Sequence, residues 1–363
     1  MIFSTHIEDI YASMYKIDAL SYSKNRNFIN GAVTMLSPYI SRGVISTKIV
    51  YDYLKKCNIP WTHCEKLIQE LAWRDYWQQV WLAKQDLIDT DLKQAQMPVH
   101  NHQIPKAIIN TNTGIIEIDK AINNLYKTGY MHNHTRMYVA SIACNIGLSH
   151  WFMPAKWLYY HLLDGDWASN SLSWQWIAGS NSNKKYFANQ ANINTHLFSK
   201  QKGTFLDVSY EDFKQIKVPK ALLDTDLPNL TTTLPNKTKL SIDNKIPTLV
   251  YNYYNLDPYW RKNQTANRVL LFSPKFFQKY PVSELCINFV LDLAKNISNI
   301  QIFVGEIEEL YLEYSIENII YKNHPTNRGY KGLEDNRDWL SNSNGYNPSF
   351  FNFWKKCKKQ IEF

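Results

Sequence analysis

Apolar residues recur at helical spacing through roughly the first 200 residues, and at strand spacing only after residue 247. Helical patterns cover about 6–19, 44–57, 64–84, 115–127, 132–148 and 154–162, separated by turn signals such as Ser37-Pro38, Pro98, Thr128-Gly129 and Asp164-Gly165. No apolar–polar alternation interrupts them, so this part is expected to be all helical. Residues 220–247 are polar, contain Thr and Pro and lack periodicity, which predicts a linker. Beyond them Thr248–Tyr254, Val269–Phe272 and Ile300–Val304 read as strands, and Val282–Asn296 reads as a helix. Residues 308–314 and 319–321 continue the alternation. Strands alternating with helices predict a small α/β module with a partly parallel sheet. The expected fold is mainly α: a helical domain over 1–219, a linker over 220–247 and an α/β module over 248–363. The Trp354–Lys359 cluster reads as a solvated basic tail closing that module.

Composition narrows the class. Hydrophobic residues make up 45% and charged residues 20%, enough for a sizeable core and too apolar for global disorder. No uncharged apolar run reaches the ~18 residues of a membrane span. The N-terminus has no basic segment followed by an apolar run, so no signal peptide is visible. Cys57, Cys64, Cys144, Cys286 and Cys357 lie far apart without a CxxC pair, which argues against a disulfide framework or zinc site and for a reducing cytoplasm. The net charge of +8 permits nucleic-acid binding without requiring it. Only eight of the 40 basic residues are Arg, so each Arg marks a place where a planar, multi-donor cation is wanted.

Three segments depart from ordinary core. In Gln69–Trp81, the spacing puts Glu70, Trp73, Arg74, Trp77 and Trp81 on one helical face. An exposed Glu70–Arg74 pair would contribute roughly 0.3 kcal/mol. Set inside a Trp stripe, the same carboxylate and guanidinium fit a seat for a planar heterocycle or base. In Thr128–Met137, a Thr-Gly break precedes a helix that places Asn133, Arg136, Met137 and Ala140 together. These read either as polar groups facing a ligand or as a solvated edge. His132 and His134, two residues apart, diverge on a helix, so no metal site is expected. In Asp164–Trp176, Asp166, Asn170 and Trp174 follow i, i+4 spacing, and Asp164 or Asp166 could N-cap a helix. Asp164-Gly-Asp166 lacks the later ligands of a calcium loop.

In this order the segments resemble the FAD-binding domain of the photolyase/cryptochrome family. The resemblance covers about residues 20–190. It runs through Tyr22-Ser-Lys-Asn-Arg26, Leu36-Ser-Pro-Tyr-Ile40, Glu70-Leu-Ala-Trp-Arg74, Met131-His-Asn133, Asp164-Gly-Asp166 and Trp174-Gln-Trp176. It implies an all-helical domain holding FAD folded back on itself. Tyr22, Thr34, Leu36 and Ser37 would then meet the phosphates and neighbouring groups, with Arg74 also at the cofactor. Arg136 would pair with Asp164 beside the flavin ring, Asp166 would hold the ribityl or ribose side, and Asn170 would face flavin N5. Trp174 and then Trp151 would pass electrons to the flavin during photoreduction. Asn133 and Met137 stand where members specific for (6-4) photoproducts carry two histidines. Together with Glu70, Trp73 and Trp176 they match the cyclobutane-dimer type. The implied function is repair of UV-damaged DNA: reduced FAD, excited by light, donates an electron to a flipped-out pyrimidine dimer, the ring splits, and the electron returns.

The sequence also departs from the family pattern. The phosphate loop, usually Thr-Ser-Arg/Lys-Leu-Ser, is Val33-Thr34-Met35-Leu36-Ser37. A lesion-contacting Arg is replaced by His134, cationic only below ~6.5 if unperturbed. The third, surface tryptophan of the electron chain has no clear match, with Trp77, Trp81 or a nearby Tyr as the candidates to stand in for it. The α/β module follows the helical domain, whereas the family's antenna domain precedes it, so 248–340 reads as an antenna-like domain in rearranged order, with no antenna pigment identified. A second class, a cryptochrome-like FAD photosensor signalling through a protein partner, accounts for the altered loop, His134 and the C-terminal module. No Rossmann glycine motif for a nicotinamide partner is present, so hydride transfer is not expected.

Overall fold

A computed structural model describes residues 3–215, 217–343 and 345–361. Its helices are α1 (Ile7–Met14), α2 (Ala19–Asn25), α3 (Ser37–Ser41), α4 (Thr47–Lys56), α5 (Trp61–Lys84), α6 (Lys106–Ile109), α7 (Ile116–Thr128) and α8 (Asn133–Ser141). They continue as α9 (Phe152–His161), α10 (Trp167–Ala178), α11 (Gln190–Leu197), α12 (Pro274–Lys279), α13 (Glu284–Ala294), α14 (Ile307–Tyr314) and α15 (Phe350–Ile361). The strands are β1 (Ile104–Pro105), β2 (Thr225–Asp226), β3 (Thr248–Tyr251), β4 (Asn267–Phe272), β5 (Ile300–Val304), β6 (Ile319–Lys322) and β7 (Leu333–Asp335). No helix among the described residues is long and apolar enough to cross a membrane.

The chain forms two compact units whose limits differ from the expected boundaries at 219 and 247. One comprises Met1–Ile17, Thr34–Ala83 and Leu230–Phe363, the other Asp18–Val33 and Lys84–Asn229. The physical reason is α5. Its aromatic residues are covered by partners from the C-terminal part of the chain: Trp81 meets Tyr254, Tyr280 and His324, and Trp73 meets Phe350. Periodicity along α5 revealed an apolar face but not which distant segment would bury it.

In the first unit, β3–β7 make a sheet of order β5-β4-β3-β6-β7 that is parallel throughout. The central strands β3 and β4 are buried along their whole length, as a parallel sheet covered on both faces requires. Val250, Val269, Leu271 and Phe303 pack with Ile307 and Leu310 of α14. That helix, continuing the alternation at 307–314, starts with a reciprocal capping box between Glu306 and Glu309. The strand order reverses between β3 and β6. In open parallel sheets a ligand enters the crevice beyond the carboxyl ends at such a point. Here protein side chains fill it. Tyr254 stacks on His324 at 4.4 Å, Asn252 donates to Asn327 at 2.7 Å, and the fully buried Arg42 lies 3.7 Å over the Tyr253 ring.

The expected basic tail is instead the amphipathic helix α15, which corrects the reading of 354–359. Phe350, Phe353, Trp354, Cys357 and Ile361 are buried at i, i+3, i+4, i+7 and i+11, while Lys355 and Lys359 stay exposed. The lysines masked a helical stripe that continues upstream of Trp354. Tyr51 Oη donates to Ile361 O and Lys358 Nζ to Glu65 Oε1, both at 2.9 Å, fastening the helix.

The second unit carries α2 and α6–α11 with a two-residue antiparallel pair, β1–β2. The expected 132–148 helix is α-helical to Ser141 and then widens into a π turn at Ile142–Ile146. The sequence offered α10 only as a helix opened by Asp164 or Asp166 with Asn170 and Trp174 at i, i+4 spacing, and did not mark α11. α10 is buried on most sides with polar Ser171 and Gln175 among its buried residues, so it shows little amphipathic period. Gly129 ends α7 at φ 70°, and a Cβ there would lie 2.5 Å from Leu163 Cγ. Only glycine permits this turn into Met131-His132-Asn133.

Asp75 of α5 is buried in the first unit. It accepts from Thr47 Oγ1 at 2.9 and 3.1 Å and from Leu340 N at 2.7 Å. Burial pushes its carboxyl from 3.8 up to about 6, against the opposing pull of those donors and of Arg337 and Arg74. Between these values the folded state keeps a proton that the unfolded chain gives up, so stability falls as pH rises through about 4–6 and levels off above. Denaturant unfolding across this window should show a decline of up to about 3 kcal/mol in the parent chain, and little of it in Asp75→Asn. Parallel profiles for the two proteins would refute the assignment.

Candidate functional site

In the second unit, α8, α9 and α10 bring the 128–137 and 164–176 segments together. Arg136 donates from Nε to Met131 O at 2.7 Å and from Nη2 to both carboxylate oxygens of Asp164 at 3.0 and 2.9 Å. Their side chains are 19% and 4% exposed, so this is a largely desolvated, multi-donor pair. The two open readings of the aspartates are thereby resolved. Asp166 is the N-cap, accepting from Ser169 N at 2.7 Å, while Asp164 is committed to Arg136. One turn along α10, Asn170 donates Nδ2 to Ala155 O at 2.8 Å, which fixes its carboxamide.

Around the start of α8, Asn133 is exposed and Met137 half-buried. His134 packs 4.5 Å from His196 and lies beside His132 and Arg26. Burial first, then these neighbours, push its pKa down to about 4. The position is therefore neutral at pH 7, which sharpens the departure from the family's arginine. Tyr22, also in this unit, lies with its ring 5.6 Å from the Arg26 guanidinium. Trp151 and Trp174 are buried at 0% and 2% exposure, and among the described residues they make no ring contact with each other. Trp176 is 41% exposed, tilted against Tyr186 at 6.1 Å.

The remaining expected residues belong to the first unit. Leu36 is fully buried, its N–H donating to Thr34 Oγ1 at 3.4 Å, after Met35 takes a left-handed φ of 54°. Ser37 opens the five-residue α3. On α5, Glu70, Trp73 and Arg74 are half-buried, and Arg74 donates to the hydroxyl of Ser41. One face of the Trp73 indole is taken by Phe350, stacked at 3.5 Å with an interplanar angle of 9°. Trp77 and Trp81, read with Trp73 as one aromatic face, are buried, Trp81 against Tyr254, Tyr280 and His324, so the chain itself covers most of that face. Sequence reasoning missed Asp89 and Asp91, whose carboxylates accept the indole N–H groups of Trp167 and Trp151 at 2.7 Å. Two aspartates in a short connection carry no motif that would have revealed this.

Residues 67–207 match the family described as the FAD binding domain of DNA photolyase. A deoxyribodipyrimidine photo-lyase of Alkalihalophilus pseudofirmus is 30% identical over 162 residues, 43% of this chain and 34% of that protein. A cryptochrome DASH of Danio rerio is 32% identical over 168 residues, 44% of this chain and 32% of that protein. The crystal structure of a Synechocystis cryptochrome aligns with a TM-score of 0.49 at 22% identity, covering 54% of this chain and 44% of that one. The matched stretch thus spans about a third of the length of these curated relatives.

The second unit's residues suit a group as polar as a flavin dinucleotide. Ser169 Oγ, His132 Nε2, His134 Nε2 and Thr135 Oγ1 are buried without a protein partner, around the Asp166 cap and the start of α8. Buried polar atoms are nearly always satisfied. Removing Asp164 tests the pair at the centre of this constellation. Asp164→Ala strands a largely buried guanidinium and should lower unfolding stability by about 3–5 kcal/mol. Asn170→Ala, which loses one neutral hydrogen bond, should cost about 1 kcal/mol. Equal losses in denaturant titration would contradict the burial of the charge pair.

Proposed function

We propose that this chain, whose helical part belongs to the photolyase/cryptochrome family, holds FAD and splits cyclobutane pyrimidine dimers in DNA by light-driven electron transfer. The observation that carries this reading is the Arg136–Asp164 pair beside Asp166 and Asn170, all within the stretch matching the photolyase FAD domain. Arg136, Asp164, Asp166 and Asn170 would hold the flavin. Tyr22, Thr34, Leu36, Ser37 and Arg74 are the further cofactor contacts implied by the resemblance. When bound, reduced FAD supplies the light-excited electron. Asn170, tethered through Ala155 O, keeps its carboxamide in one orientation, which fits a residue placed at flavin N5. Glu70 would hydrogen-bond the pyrimidine edges. Trp73 and Trp176 would offer apolar ring faces, and Asn133 and Met137 would complete the lesion contacts. A flipped-out dimer is an economical substrate because damaged, poorly stacked bases cost little to extrude. The electron returns after ring cleavage, so the net reaction is redox-neutral.

A second reading, an FAD photosensor acting on a protein partner, is favoured by one observation: Phe350 occupies a ring face of Trp73 that a base would otherwise use. Repair of cyclobutane-dimer DNA by flavin-reduced protein under light, scored against a dark control, separates the two readings. Light-dependent repair supports the lyase, and flavin-bearing protein without repair supports the photosensor.

Two substitutions test the assigned roles. Glu70→Ala should lower repair yield roughly tenfold or more, as loss of a charged hydrogen bond predicts, while leaving flavin content near that of the parent. Matching losses of repair and flavin would assign Glu70 a structural role. Trp174→Phe should slow flavin photoreduction while sparing repair by chemically reduced protein. Unchanged photoreduction would remove Trp174 from the electron chain.

A further inference from the structure

We infer that Asp91 is the internal base that takes the indole proton of Trp151 when that tryptophan is oxidised. The inference rests on the proposed electron chain through Trp174 and Trp151. The sequence offers no clear match for a third, surface tryptophan of that chain, and we take Trp151, which is fully buried, as the place where the oxidising equivalent comes to rest. An oxidised indole is far more acidic than the neutral one, comparable to a carboxylic acid, and this one has no surface at which to lose its proton to bulk water.

The geometry supplies the acceptor. Trp151 Nε1 donates to Asp91 Oδ1 at 2.7 Å, a short charge-assisted bond. The carboxylate is held from its other sides: Oδ2 accepts from Gln96 N at 2.8 Å, and His150 Nε2 lies 3.4 Å from Oδ1. Gln96 also fixes the tryptophan, its Oε1 accepting from Trp151 N at 2.9 Å while its Nε2 donates to Ser149 O. His150 Nδ1 accepts from Phe152 N, so the neutral ring directs Nε2–H toward Asp91 and orients the carboxylate rather than taking its proton. Asp91 and His150 line a cavity of about 290 Å³ with Asp89, Thr90, His102, Phe152 and Met153, through which the carboxyl can exchange with solvent.

The step balances. Trp151 gives one electron, by way of Trp174, to a photoexcited oxidised flavin. The Nε1–H bond breaks and an Oδ1–H bond forms, leaving a neutral tryptophanyl radical and a neutral carboxylic acid. Because the indole is fully buried, collapse of the cation–carboxylate pair to two neutral partners removes the cost of keeping a charge on it. The electron cannot return until the proton does, so Asp91 holds the separated charge in place of a surface tryptophan.

The test is transient absorption of the full flavin-bearing protein, which distinguishes cationic from neutral tryptophanyl radicals. The parent chain should yield the neutral radical at a rate independent of buffer concentration, together with a light-induced protonated-carboxyl infrared band. Asp91→Asn should leave the radical cationic, abolish that band and shorten the charge-separated state about tenfold or more. Asp89→Asn removes the carboxylate from the equivalent 2.7 Å bond to Trp167 and should change none of these. The same protonation state in the parent chain and Asp91→Asn, buffer-catalysed proton loss in the parent, or an effect confined to Asp89→Asn would each overturn the role of Asp91. No tryptophanyl radical in the parent chain would overturn the electron chain itself, and this inference with it. Should Asp91→Asn not fold, the buffer dependence of the parent chain decides alone.

Discussion

The covering of α5 is the constraint around which the first unit is built. A 24-residue helix with Trp73, Tyr76, Trp77 and Trp81 along it presents more aromatic surface than its neighbours α3 and α4 can hide. The C-terminal part of the chain hides the rest. Phe350 and Phe353 of α15 pack on Trp73 and Tyr76, Trp354 stacks parallel to Trp61, and Tyr254, Tyr280 and His324 surround Trp81. Each such ring pair adds about 0.5–1.5 kcal/mol beyond area burial. The Asp75 carboxylate, joining Thr47 to Leu340, fixes the register that these rings require.

This arrangement changes the meaning of the parallel sheet. A doubly wound module normally leaves an open crevice where its strand order reverses, and that crevice is where ligands of such folds sit. Trp81 and Arg42 arrive there from the N-terminal part of the same unit, and His324 is held neutral in the apolar packing that results, mainly by burial. The module's end is thus spent on protein–protein packing within the chain.

Much of this was legible in the sequence. The switch from helical to strand spacing, four of the five sheet strands and a helix cap at Asp164 or Asp166 follow from local patterns of period and capping, whereas β7 and the choice between the two aspartates do not. What was not legible depended on partners distant in the chain. The basic run 354–359 concealed a buried stripe because lysines fill the solvent side of α15. α10, buried on most sides, offered its cap and the Asn170–Trp174 spacing but no apolar stripe to mark its extent. The Arg136–Asp164 pair came from family resemblance, since 28 residues separate its members and no local rule joins them. Asp91 gave no signal at all, because its role is set entirely by where Trp151 arrives.

The discontinuous make-up of the first unit bears on how the chain is made. Residues 18–33 and 84–229 can assemble into their unit while synthesis continues, but 1–17 and 34–83 must wait until the segments from 230 onward have emerged. Contacts so far apart in sequence close slowly, and the apolar surface awaiting them is exposed meanwhile. On the ribosome, α5 would therefore stand with its tryptophans uncovered through the translation of more than half the protein, a stage at which chaperones that bind aromatic stretches have their longest opportunity to engage it.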